Sequence, residues 1–228
     1  MRRLVPFLSL LILFPIAHAD TIAVIGTGNV GGALGTEFAA QGHTIVYGSR
    51  NPSSSEVTEL VARTGGDAAA TTQAEAVKGA DIVVLAVPGM LVEEITRSLG
   101  DLTGKIIIDP TNPIDRFGQE FRMGVSSSNG EIIQFAAPDS SVVKAFNSLS
   151  WQTMIDPEMS GGPVSIPLAG NSSDAKATVA ELVEGMGLEA IDLGGIENAH
   201  WIEGMLIMWL NNRYGGEREP FDYHLRKN

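Results

Sequence analysis

An α/β fold with a doubly wound, mainly parallel sheet, helices on both faces and a short C-terminal helical extension is predicted by three features of this chain. Short β-rich runs alternate with helical stretches from residue 20 onward. The first run leads straight into the turn Gly26-Thr27-Gly28-Asn29-Val30-Gly31, which opens a helix. A later run over residues 81–87, Asp81-Ile82-Val83-Val84-Leu85-Ala86-Val87, is almost wholly apolar and stops at Pro88, as a buried strand does.

The elements follow in order. Residues 21–26 form a strand and 29–40 a helix whose early positions, Gly31, Gly32, Ala33 and Gly35, are small. Residues 43–48 form the second strand, 49–55 a polar turn and 56–63 a helix. A short strand over 67–70 and a short helix over 72–78 precede the buried strand at 81–87. A helix over 91–99 leads to a strand over 105–109 and the turn Pro110-Thr111-Asn112-Pro113. Residues 115–129, rich in Gly and Ser and without a clear period, are expected to be a loop. Beyond it come a helix at 131–137, a sixth strand at 141–146, further strands at 164–169 and 189–193 flanking a helix at 174–185, and a last helix at about 196–212. No internal repeat or linker interrupts residues 20–228, so a single domain is expected there.

The N-terminus has a different character. Arg2-Arg3 precedes the apolar residues 4–16 and the small-x-small site Ala17-His18-Ala19. This is the layout of a secretory signal peptide over residues 1–19, cleaved after Ala19, and it implies an exported protein, periplasmic or secreted. A misassigned start site would instead leave the protein cytoplasmic. The apolar run is short for a membrane span, so no stable membrane insertion is expected after cleavage.

The formal net charge is −12, with a pI near 4.7. Such a surface disfavours binding along a nucleic-acid backbone or on anionic lipid, while leaving room for one basic pocket. There is no cysteine, which removes disulfides, thiolate metal sites and a cysteine nucleophile. The scattered histidines His43, His200 and His224 show no metal-ligand spacing.

The glycine turn carries the chemistry. Gly26 permits the tight turn, Gly28 removes a side chain where backbone must approach a pyrophosphate, and Gly31 lets the helix sit close to the strand. The amides and positive dipole end of that helix then face the phosphates. This is the Rossmann-type arrangement. A glycine-rich turn with no nucleotide is the competing explanation, and the strand–turn–helix context weighs against it. A site for NAD usually places an acid about twenty residues on, at the end of the second strand. Here that strand ends in Tyr47-Gly48-Ser49-Arg50-Asn51, without a carboxylate. Ser49 offers a hydrogen bond and Arg50 a planar fork for a 2′-phosphate, so the expected cofactor is NADP.

The nicotinamide end is expected across the C-terminal ends of the strands. Val87 and Pro88 would give apolar contact beside ring and ribose, and the amide of Asn112, or backbone near it, would bond the carboxamide. Lys144 is read either as a polar residue closing its strand or as a cation steering an anionic substrate. Asn147 and Trp151 are candidates to line a flat acceptor. No Ser/His/Asp set or pair of carboxylates stands out. That suits hydride transfer, which depends on stacking, orientation and water exclusion.

These segments, together with Ile108-Asp109-Pro110-Thr111-Asn112-Pro113, Val143-Lys144-Ala145-Phe146-Asn147 and Glu197-Asn198-Ala199-His200-Trp201-Ile202-Glu203, resemble the NADPH-dependent coenzyme F420 reductases over nearly the whole chain after residue 19. They are also similar to the reductase domain of the STEAP metalloreductases. The resemblance implies that Thr27, Gly28, Asn29 and Val30 cradle the pyrophosphate, that Ser49 and Arg50 take the 2′-phosphate and that Ala145 lies by the nicotinamide. It further implies a homodimer and a small redox acceptor, with coenzyme F420 or a flavin as co-substrate. Where the family often carries a further basic residue beyond the Ser-Arg pair, this chain has Ser53-Ser54-Ser55, which implies weaker hold on the phosphate. Two functions are therefore carried forward: an NADP(H)-dependent oxidoreductase, and an NADP(H)-binding or sensing protein without turnover. The apolar stretch Met205-Leu206-Ile207-Met208-Trp209-Leu210 is expected to be buried, in the core by preference or in a dimer interface.

Overall fold

A computed structural model describes residues 19–216, 219, 221 and 223–226; the expected signal peptide lies outside the described residues apart from Ala19. The strands are β1 (Thr21–Ile25), β2 (Thr44–Gly48), β3 (Ala69–Thr71), β4 (Ile82–Leu85), β5 (Ile106–Asp109), β6 (Ile114–Phe117), β7 (Glu120–Met123), β8 (Ser141–Lys144), β9 (Ser165–Gly170) and β10 (Glu189–Asp192). The helices are α1 (Asn29–Ala40), α2 (Ser55–Thr64), α3 (Gln73–Ala76), α4 (Val92–Ser98), α5 (Asn129–Ala136), α6 (Trp151–Ile155), α7 (Ser173–Gly185) and α8 (Ala199–Tyr214).

Among the described residues, eight strands form one sheet in the order β10-β9-β8-β5-β4-β1-β2-β3. Neighbours are parallel except β8 and β9, which run antiparallel. Chain order reverses on either side of β1 and β4, the switch point where a crevice opens beyond the strand ends. Side chains alternate between the two faces, so each central strand feeds two cores. Ile22 and Val24 of β1 pack with Leu34 and Phe38 of α1, Leu60 of α2 and Val179 of α7. Ala23 and Ile25 of the same strand join Val92 of α4 and Ile133 of α5 on the other face.

The sequence places all eight strands of this sheet to within a few residues, and the mainly parallel, two-faced architecture is as expected. Residues 115–129 differ from the expected loop. Ile114–Phe117 and Glu120–Met123 pair as an antiparallel hairpin outside the main sheet. Asn211 of α8 pins it, accepting from the Phe121 N–H at 2.7 Å and donating to the Phe121 carbonyl at 2.8 Å.

The last helix departs from the core burial expected by preference for residues 205–210. Ala199, Ile202 and Glu203 are buried, but Trp201 is 71% and Met208 58% exposed, and most of the apolar run between them is half-buried. Among the described residues, then, nothing encloses that run fully. Beyond the helix, Tyr223 donates its hydroxyl to the Met205 carbonyl at 2.9 Å. Among the described residues no helix is long and apolar enough to cross a membrane.

Candidate dinucleotide site

The turn between β1 and α1 is set by contacts that only glycine permits. Gly26 has φ +107°, and a Cβ there would lie 2.1 Å from the Ala86 carbonyl oxygen. At Gly31 a Cβ would lie 2.0 Å from the Gly26 carbonyl oxygen, so the helix sits directly on the turn. Gly28 is the opposite case: a Cβ there would meet nothing within 4 Å. Its missing side chain serves no protein contact and leaves room on the crevice side.

Gly28 is also the residue that begins α1. No side chain caps this helix and no acid stands in its first turn. By contrast α2, α3, α5, α6 and α7 each donate a backbone N–H to the side-chain oxygen of a Ser or Thr at this position. The first amides of a twelve-residue helix thus remain available to an anion, beside an open glycine. Thr27, Asn29 and Val30 flank that opening, partly or fully exposed.

The end of β2 lies alongside, since β1 and β2 pair in register from Thr21↔Thr44 to Ile25↔Gly48. The Ser49 amide donates to the Thr71 carbonyl at 2.9 Å, and the Ser49 hydroxyl oxygen accepts the Asn51 N–H at 3.1 Å. Among the described residues no acceptor takes the hydroxyl's own proton. Arg50 is exposed, and among the described residues no carboxylate pairs with it. A free guanidinium, a free hydroxyl proton and no acid suit a 2′-phosphate better than a bare ribose hydroxyl.

On the other side of the switch point, Val87 is half-buried and Pro88 exposed where β4 ends. Asn112 and Asn147 hold each other: Asn112 Nδ2 donates to the Asn147 carbonyl at 3.0 Å, and Asn147 Nδ2 to Asn112 Oδ1 at 2.9 Å. The Asn112 amide is therefore engaged within the protein. The buried acceptor left over is Asn147 Oδ1, which has no partner. Ala145 is fully buried at the end of β8. Phe146, next to it, has φ +62°, the one non-glycine among the described residues in the left-handed region. Its ring is held edge-on by Phe38 at 6.1 Å between centroids.

Directly beneath this rim is a charged cluster. Lys144 is fully buried and donates to Asp109 Oδ2 at 2.9 Å, to Glu203 Oε1 at 2.6 Å and to the Thr111 carbonyl. Asp109 Oδ1 accepts from the Thr111 amide at 2.8 Å and the Thr111 hydroxyl at 2.6 Å. Both oxygens of Glu203 accept the Asn129 N–H, at 2.9 and 3.1 Å. Burial pushes the Glu203 carboxyl up from its ordinary value, with Lys144 pulling it down and Asp109 adding to the rise. Its oxygens meet only N–H donors, from Lys144 and Asn129, which favour the carboxylate and work against that rise. Lys144 therefore does not face the crevice as a steering cation. Its charge is spent on two buried acids from β5 and α8, residues 35 and 59 positions away.

Comparison with known proteins bears on this geometry. Residues 21–113 match the family described as NADP oxidoreductase coenzyme F420-dependent. The F420-dependent NADP reductase of Methanothermobacter thermautotrophicus is 32% identical over 210 residues, covering 83% of this chain and 88% of that one. The chain belongs to this family of NADP-dependent oxidoreductases. A crystal structure from Arthrobacter sp. FB24, assigned as an F420-dependent NADP reductase, superposes with a TM-score of 0.79 at 30% identity, covering 91% of this chain and all of that one. The metalloreductase STEAP3 of Rattus norvegicus is 30% identical over 198 residues, 85% of this chain, but the chain spans only 38% of that protein's length. Within the family frame, the glycine turn and the Ser49-Arg50 strand end fall in the matched segment, whereas Lys144 and Glu203 lie beyond it.

Proposed function

We propose that the chain binds NADP(H) across the strand ends and transfers hydride between its nicotinamide and a flat acceptor, a deazaflavin such as coenzyme F420 or a flavin. The observation that carries this is the N-terminus of α1, free of any side-chain cap and open beside Gly28, with an exposed and unpaired Arg50 on the adjacent strand end. The residues fit the cofactor. Gly26 and Gly31 shape the turn; Thr27, Gly28, Asn29 and Val30 offer backbone to the pyrophosphate; Ser49 and Arg50 take the 2′-phosphate.

When bound, NADPH supplies the hydride. The chain's own part is to orient and to exclude water. Val87 and Pro88 form an apolar wall, Ala145 keeps the floor small, and the mutual Asn112–Asn147 bonds fix the rim. The half-exposed apolar face of α8 supports a homodimer in which a second copy covers Trp201 and Met208. Export through residues 1–19 belongs to the same proposal, and rests on the sequence pattern alone.

The test is NADPH oxidation by the mature chain with coenzyme F420, FMN, FAD and ferric chelates, each in turn. Turnover with F420 or a flavin is the expected result. Tight NADPH binding without turnover on any acceptor would contradict hydride transfer and leave a binding or sensing role.

A further inference from the structure

The Lys144 cluster is more elaborate than a strand closure requires. It brings one ammonium and two carboxylates together, all fully buried, from β5, β8 and α8. Every contact of the two acids is with an N–H or O–H donor: Thr111 and Lys144 on Asp109, Asn129 and Lys144 on Glu203. With only donors around them, two carboxyl groups face a single ammonium, so the ionised cluster carries one negative charge more than it balances. A hydrophobic group at each position would be a cheaper way to close the core, because buried ion pairs rarely repay their desolvation.

The charge also has a definite place. Lys144 binds the Thr111 carbonyl, and the next residue, Asn112, forms the crevice rim with Asn147. Asn147 Nδ2 reaches the carbonyl of Ile202, the neighbour of Glu203. The Asn129 amide that leans on Thr111 Oγ1 at 2.8 Å also holds the Gly89 carbonyl at 3.0 Å, where β4 turns out of the sheet. The excess charge thus sits one layer below the strand ends at which the nicotinamide half of a dinucleotide lies in this fold. Water is excluded there, so the field is only weakly screened.

The two redox forms of the cofactor differ in one respect that such a charge senses. The dihydronicotinamide ring is neutral and the oxidised ring carries a positive charge. We infer that the Asp109–Lys144–Glu203 cluster is a selectivity element for the cofactor's redox state: its uncompensated negative charge favours the cationic ring, so the protein holds NADP⁺ more tightly relative to NADPH than an uncharged floor would. This rests on the proposal that NADP(H) binds in this crevice. Asp109 and Glu203 act through the field and touch neither ring nor acceptor.

The experiment is equilibrium binding to the full mature chain, without acceptor. Dissociation constants are measured for NADP⁺, for NADPH and for the ring-less analogue 2′-phospho-ADP-ribose, with wild type, Glu203→Gln, Asp109→Asn and Glu203→Asp. Either neutralising substitution is expected to weaken NADP⁺ relative to NADPH by several-fold to about tenfold, the order of effect of one buried unit charge at an effective dielectric near 20. Affinity for the ring-less analogue stays the same. Glu203→Asp keeps the charge while disturbing the geometry, and is expected to leave the NADP⁺/NADPH ratio near wild type. Asp109→Asn carries the test if Glu203→Gln does not fold. A ratio unmoved in the neutralised variants, or moved equally by Glu203→Asp, overturns the inference and leaves the cluster a structural pin. Wild type that binds none of the three ligands would instead overturn the proposed function, and this inference with it.

Discussion

Gly31 and Gly26 meet across the first turn of α1: a Cβ on Gly31 would lie 2.0 Å from the Gly26 carbonyl oxygen. Backbone cannot yield as a flexible side chain does, so an added methyl has to push the helix off the strand. Gly31→Ala is expected to destabilise the fold by about 1–3 kcal/mol, the usual cost of overpacking a tight contact. It also displaces the amides that face the crevice and lowers NADPH affinity. Urea denaturation and an NADPH titration check both; a variant that keeps wild-type values in each would mean the turn is not packed this way.

Gly28 predicts the complementary result. A Cβ there touches nothing in the protein, and its backbone, at φ −79° and ψ −166°, suits an ordinary residue. Gly28→Ala is expected to leave stability within about 0.5 kcal/mol of wild type. NADPH affinity is expected to fall by at least about tenfold, because the methyl occupies the place of approach to the pyrophosphate. Unchanged affinity in a fully stable variant would put the phosphates elsewhere.

Lys144 offers a test of stability. Removing the ammonium leaves Asp109 and Glu203 buried side by side without their shared donor. Lys144→Met is expected to cost about 3–5 kcal/mol, the range for breaking a buried ion pair by deleting one partner. A loss below about 1 kcal/mol by denaturant unfolding would show that the pair is solvated in solution, as surface pairs are.

Glu203 gives a pH signature. Burial raises its carboxyl above the ordinary 4.5, against the pull of Lys144, so the folded protein holds this proton more tightly than the unfolded chain does. Its contribution to stability is therefore full below about pH 4.5 and is lost as pH rises through the elevated folded value. The groups facing it are Lys144 from β8, Asp109 from β5 and the Asn129 amide of α5. The stability of wild type minus that of Glu203→Gln is expected to shrink as pH rises above about 4.5. A difference that is flat or grows with pH contradicts the assignment.

What the sequence revealed and what it hid divide along physical lines. The eight sheet strands were legible because each is a short β-rich run bounded by a turn or a helix, and the sheet's two faces follow from alternation alone. The glycine turn and the Ser49-Arg50 strand end were legible because they are local: spacing along the chain is spacing in the site. The hairpin at Ile114–Met123 was hidden because its anchor is Asn211, some 90 residues on. The buried pairing of Lys144 was hidden for the same reason, since its acids come from another strand and the last helix. The apolar run in α8 was expected to be enclosed, yet Met208 stays exposed. Hydropathy says that a face needs covering, and nothing about which chain covers it.

The central claim is that Arg50 and Ser49 read the 2′-phosphate at the end of β2. The most direct measurement is a parallel titration of NADPH and NADH against wild type and Arg50→Ala. Wild type is expected to prefer NADPH, and Arg50→Ala to lose about 10–100-fold in NADPH affinity, the worth of a charge-assisted hydrogen bond to phosphate, while NADH binding stays unchanged. A wild type with no preference, or a variant that keeps the preference intact, would contradict the account.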